Sequence, residues 1–529
     1  MKGSLARAFG DRRRRQQGSV LSGVLIITAF VAILSGALMT ELSSSFILSH
    51  TFAQRVANEA TIDSALELGL SRLQARPVNQ GCPVLSSVSL NGLVAASAYQ
   101  SCGPSVDTHA APFTAIAAAQ PFTIDGVTAS VPPPGGNEYI VVDSQGHFFR
   151  YGLGQTTASW TASIGGSVTA PPLVFPNGTT VLVPVQNPTA PGNPECDAPA
   201  DCVASLDYGQ GVECYMQAGG LVPTSPAAGV RFPNTAYFAD SSGTLWAYDV
   251  SSDTCSAQSS VSVPQAVVAG PYVFRDKNSD EIFMVLSDAS GSQLIQYEFR
   301  NNHKLRDVYS RQLALPQAVG LQFDQSQLPA RAAITFANGL VQLLQVQSGN
   351  ASAIGQYALP ASLATDPTWC CGNSPSTIGV GGQNGRFYVL DSTPALVGTY
   401  PLGASINTAA TTDSAGDWFV GADDGNLHEI PAVQSSPTSY SFGNGGMGLV
   451  RSAANVVPCG GGLCAYLGAG SGGLFMVHLS VWQATMWACL GASASACSGA
   501  NPRGWTSVQV GSVASATPVY IQGWSYYSP

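Results

Sequence analysis

Charge is scarce in this chain. Only 10% of its 529 residues are Asp, Glu, Lys or Arg, while it holds 57 Gly and 34 Pro. A low-charge, Gly-rich composition points to many short strands joined by turns, and the length exceeds one small domain. Cations are scarcer still past the first 18 residues. That stretch carries six Lys/Arg and one Asp, a net of +5, so a total of −10 leaves −15 for the rest. An acidic body of this kind argues against nucleic acid as a partner. Histidine is nearly absent too. His50 falls on a helical stretch, and His109, His147, His303, His428 and His478 are isolated from one another. No nucleophile–base arrangement, phosphate loop, zinc-protease motif or Gly-x-Ser-x-Gly elbow appears, so no catalytic residue is assigned and the chain is not read as an enzyme.

What is present begins with a membrane signal. Arg12, Arg13, Arg14 and Arg15 precede residues 20–39, which contain no charge. Twenty helical residues span roughly 30 Å, the thickness of a bilayer core. The positive-inside rule keeps the N-terminus in the cytoplasm and sends the bulk across the membrane. A cleavable secretory signal would show a shorter apolar run and then a small-residue site, and Ser35-Gly36 is a poor one. The helical pattern then continues. Residues 41–73 lack Pro, and Val56, Ala60, Leu66, Leu70 and Leu73 recur at roughly helical spacing until Pro77. The expectation is one helix over 19–76, apolar all round in its first half and amphipathic in its second.

Residues 12–73 resemble the N-terminus of type IV pilin-like proteins, closest to the minor pilins. The resemblance implies a basic leader, residues 1–18, cut by a prepilin peptidase between Gly18 and Ser19. It also implies other pilin-like subunits as partners. Two positions depart from the major pilins: Gly23 stands where they have Glu at the fifth mature position, and Ser19 where they begin with Phe. The departure suits a minor subunit. A plain signal anchor with a juxtamembrane helix is the alternative.

All twelve cysteines lie beyond the membrane segment. An even number in an exported chain reads as disulfides. The preferred pairing is between neighbours: Cys82 with Cys102, Cys196 with Cys202, Cys214 with Cys255, Cys370 with Cys371, Cys459 with Cys464, and Cys489 with Cys497. Spacing does not fix this connectivity. Zinc competes only at Cys459/Cys464.

After a connecting segment, 77–119, the chain repeats a strand–turn–strand unit. Copies lie at 138–152, 235–250, 282–299, 332–346, 377–391, 418–430 and 464–477. An eighth, TTVLVPV (179–185) with CVASLDYG (202–209), is split by an insert. Turn glycines recur about 40–48 residues apart, the period of a four-stranded propeller blade. The expected fold is mainly β: an eight-bladed β-propeller over 120–529, preceded by the long helix. The hairpin at 138–152 has no recognisable inner strand before it. Residues 514–524 read as an inner strand with no hairpin after them, so the C-terminus is expected to complete the first blade.

The repeats resemble those of pyrroloquinoline-quinone-type propellers, with Tyr248-Asp249 and Leu390-Asp391 surviving from that family's motif. The resemblance implies the fold, and through Cys370-Cys371 raises a quinone-dependent dehydrogenase as a lesser alternative. Asp276, Asn278 and Asp280 alternate like the first half of a calcium loop. Glu281 stands where such loops have Gly, so calcium and a plain polar turn both remain open; no cofactor is otherwise expected. The function expected is a minor pilus or pseudopilus subunit. Its propeller would meet a surface, a protein or a glycan outside the cell, from an inner-membrane anchor or a cell-surface pilus. An anchored scaffold for envelope assembly is the second reading.

Overall fold

The computed structural model describes residues 6–75, 82–109, 116–122, 138–188, 201–491, 504–510 and 520–525, apart from short stretches within these spans. Helix α1 runs from Ala6 to Gln74, 69 residues and about 100 Å by the helical rise. It starts inside the basic leader and passes through Gly18 and Ser19, so it is longer than the 19–76 expectation at its N-terminal end. Residues 6–18 contain no Pro and are rich in Arg, Gln and Ala, which favour helix.

Exposure divides the helix sharply. Ile26, Phe30, Ile33, Phe46 and Phe52 are each more than 60% exposed, while Ile62, Ala65, Leu66 and Leu73 are at most 2% exposed. The buried set falls at i, i+3, i+4 and i+11, a single stripe. Val56 and Ala60, expected on the amphipathic face, lie outside it and are exposed. Gly69 sits in the stripe. A Cβ there would meet Met486 Sδ at 3.2 Å, so the small residue lets helix and sheet approach.

That sheet is built from both ends of the chain. Strand Leu93–His109 pairs antiparallel with Gly473–Leu490, from Ala95 opposite Leu490 to His109 opposite Leu474. Val88–Leu90 adds to one side, and Gly504–Val510 with Tyr520–Ser525 to the other. Ala95, Ala484, Met486 and Ala488 form one apolar cluster with the helix stripe. The disulfide Cys82–Cys102 fastens the segment after the helix to this sheet.

The same two long strands enter the propeller. Residues 105–109 and 474–478 continue as the outer pair of the eighth sheet, beside Gly462–Ala469 and Asn455–Cys459. Seven further sheets lie between them in sequence, each built around one of the hairpins read from the repeat. Among the described residues this makes eight. Each packs on the next through an apolar layer: Val142 and Phe148 on Val181 and Val183, then onward to Phe419 and Leu427 on Ala465 and Leu467. Val141 and Tyr151 of the first sheet pack on Tyr466, Leu474 and Met476 of the eighth. That layer joins last to first. At the turns the repeat glycines are required. Gly339 has φ 93°, and a Cβ there would lie 2.3 Å from Ala361 O.

The closure differs from the sequence expectation. The first hairpin has its own inner strand, Ile116–Phe122, paired with Glu138–Asp143. Tyr520–Ser525 pairs with Gly504–Val510 instead, within the sheet under the helix. The chain therefore closes its ring at the eighth sheet, by an outer strand from the N-terminal side. The 77–119 segment is not a simple connection but carries three strands. Val88–Leu90 and Leu93–His109 flank Asn91-Gly92, a hairpin signal that stands outside the repeat period.

Candidate functional site

Inner strands of neighbouring blades face the bore without pairing in a ladder, so their main-chain polar groups need other partners. Side chains supply them. Both main-chain groups of Leu321, in the fifth inner strand, are taken by its neighbours. Tyr272 Oη donates to Leu321 O at 2.5 Å, and Leu321 N donates to Asp366 Oδ1 at 2.9 Å. Trp369 Nε1 donates to Gln322 O, and Trp369 N donates to Gln322 Oε1. Gly320 is needed here, since a Cβ would stand 2.5 Å from Asp366 Cα.

Beside this stitch is a cavity of about 440 Å³, lined by inner-strand residues including Leu173, Ala228, Tyr272 and Asp366. Its walls are mostly Pro, Ala, Val and Leu. Asp366 is the carboxylate of that lining. Asp366 is exposed, its side chain opening onto the cavity, with Tyr272 and the Leu321 main chain packed beside it. Burial pushes its pKa up to about 6, with the Leu321 N–H opposing. The same carboxylate helps burial to raise the Tyr272 hydroxyl. Sequence reading missed Asp366. Its only signal is an acidic residue before Pro367 at the start of an inner strand, where the other repeats have small apolar residues.

A folded-state pKa above the ordinary carboxylate range has a definite sign. The native state holds the proton more tightly, so this group favours folding at low pH. The contribution fades as pH rises from about 4 to about 6. Asp366→Asn should remove that slope from the stability–pH curve of the full chain, measured by urea unfolding.

The residues expected to bind calcium are not brought together. Asp280 is fully buried and turned toward the third sheet, where Val230 N, Arg231 N, Phe232 N and Tyr237 Oη all donate to it at 2.6–3.3 Å. Asp276 and Asn278 stand exposed. Strand alternation explains the split, since Ser279 starts the strand and Asp280 points into the inter-sheet layer. Among the described residues no group of three or more His, Cys, Asp or Glu is placed to hold a metal.

Of the expected disulfides, Cys82–Cys102 and Cys214–Cys255 are formed, the second joining the second sheet to the third. Cys202, Cys370, Cys464 and Cys489 are also disulfide-bonded. Cys196, Cys371 and Cys497 lie outside the described residues, as does the Cys459 side chain. Cys370 is buried in the apolar layer with Phe387 and Trp418, not in the lining of the bore cavity. Disulfides point to an oxidising compartment for this part of the chain.

No protein-family model matches the sequence, and no curated protein matches it. Solved structures do match the fold. The computationally designed Ika8 protein superposes with a TM-score of 0.50 at 12% identity, covering 69% of this chain and 96% of that one. Sqt1 from Saccharomyces cerevisiae gives 0.50 at 12%, covering 64% and 92%. BamB from Moraxella catarrhalis gives 0.47 at 11%, covering 65% and 94%. The chain is thus similar to β-propellers in fold. It is a mainly β protein carrying one N-terminal helix long and apolar enough to cross a membrane.

Proposed function

We propose that this chain is a minor type IV pilin-like subunit that carries a β-propeller as a binding head outside the cytoplasm. One observation supports this most. A single helix is bare over residues 24–56, with no charge between 20 and 39, and its last turns are covered by an antiparallel sheet made from both chain ends. The propeller is inserted between two strands of that sheet, so the helix–sheet unit is complete without it. A bare half-helix suits first a bilayer and then a helical filament core. A head of eight sheets is too bulky to repeat at every filament position, which suits a tip or low-copy place. The propeller would act by binding a protein, glycan or surface.

The test is the N-terminus of the mature protein. A chain that begins at Ser19 only when prepilin peptidase is present supports the reading. An exported chain that keeps Met1 overturns it and leaves an anchored scaffold. The unbroken helix through Gly18 is the observation that favours that second reading.

A further inference from the structure

We infer that the bore cavity is a recognition site for a primary alkylammonium, with Asp366 as its counter-charge. The inference deepens the reading of the propeller as a binding head and does not depend on the filament.

The cavity, at about 440 Å³, falls within the range of small-ligand sites, roughly 300–1,000 Å³. Its lining combines one carboxylate with aliphatic and prolyl carbon and the hydroxyls of Thr224, Ser225 and Tyr272. That combination selects by chemistry. An anion would meet Asp366. A divalent cation favours several carboxylates among its oxygen ligands, and this wall offers one, with neutral Thr224, Ser225 and Tyr272 hydroxyls beside it. A monovalent ammonium on a short methylene chain matches both features. Its charge meets the carboxylate, and its methylenes lie against Leu173, Ala228 and the neighbouring prolines.

Asp366 is prepared for such a guest. Leu321 N engages Oδ1, fixing the carboxyl. Among the described residues no Lys, Arg or His lies near enough to lower its pKa, and the titratable group that faces it is Tyr272 on the fourth inner strand. The Tyr272 hydroxyl is committed to Leu321 O. A carboxylate on a cavity wall with no cation beside it is stabilised by one that enters from outside. In a protein partner the matching group is a lysine side chain; in a small molecule it is a free amine.

The test uses the full-length chain in detergent and ligand-detected saturation-transfer NMR at pH 7.5. The probes are n-butylammonium and a blocked Gly-Gly-Lys-Gly-Gly peptide. Controls are n-butanol and the same peptide with norleucine. Saturation of either amine, with its neutral control silent, is expected. Binding of the peptide as well as the free amine identifies a lysine side chain as an acceptable guest; binding of the free amine alone identifies a small-molecule site. Asp366→Asn keeps an acceptor for Leu321 N and should weaken binding at least tenfold. Lowering the pH to 5 protonates the wild-type carboxyl and should weaken it similarly. Ala228→Leu, which fills the cavity and leaves the charge, should also abolish binding. No saturation by wild type, or equal binding by wild type and Asp366→Asn, overturns the proposal. If Asp366→Asn fails to fold, full binding by Ala228→Leu overturns it.

Discussion

Asp280→Ala is expected to cost about 3–5 kcal/mol of stability. The substitution leaves Val230 N, Arg231 N, Phe232 N and the Tyr237 hydroxyl without their acceptor, inside the layer between third and fourth sheets. Each buried donor that loses its partner costs about 1–3 kcal/mol, less whatever water recovers by entering the gap. Water enters poorly, because Tyr237 and Phe299 pack edge to face beside the site and both are fully buried. The check is urea unfolding of the full chain in detergent, with the midpoint lowered and the slope unchanged. Asp280→Asn keeps one acceptor oxygen and should lose less. Asp276→Ala and Asn278→Ala, at exposed positions, should stay within about 0.5 kcal/mol of wild type. Equal losses at all three positions would mean that they act as one site. Added calcium should leave the wild-type midpoint unchanged, because Asp280 would have to leave four donors to ligate it.

Leu66→Asp should free the helix from its sheet. Leu66 is fully buried in a cluster with Ala95, Ala484 and Met486. The change forfeits about 2–5 kcal/mol of packing and also forces a carboxyl into an apolar layer. Hydrogen exchange should show protection lost across residues 93–104 and 482–490. Sheets three to six, whose apolar layers involve none of these residues, should keep theirs. The control is the next residue along the helix, Glu67, which is exposed: Glu67→Gln should leave the whole exchange pattern intact.

The hairpins were legible because each carries its own local signal, a turn glycine between two apolar strands. Gly339 and Gly385 mark turns that no other residue fits as well. The closure was not legible, because pairing between residues 105–109 and 474–478 leaves no trace in either segment alone. The expectation that 514–524 completes the first blade came from reading an apolar strand by its own pattern, when its partner was decided by a sheet far away in sequence. Asp280 misled for a related reason. Alternating Asp, Asn and Asp describe a loop only if the backbone stays a loop, and here a strand begins at Ser279 and turns Asp280 inward. Asp366 gave almost no signal, since a single carboxylate acquires meaning only when four inner strands converge around it.

Of the two long strands beneath the helix, Leu93–His109 carries the chain from the helix toward the propeller and Gly473–Leu490 brings it back out toward the C-terminal strands. A tensile load between the helix and a bound head is therefore carried by one covalent tether, Leu93–His109, and is shared with Gly473–Leu490 only through the antiparallel ladder between them. Those hydrogen bonds lie across the direction of pull and are loaded in shear along the length of the pair. The force enters the ring at residues 105–109, passes to residues 474–478 through their ladder, and then reaches Gly462–Ala469. A ladder sheared along its length gives way only when many bonds break together, so the strand that closes the ring is pulled in the direction in which its pairing is strongest.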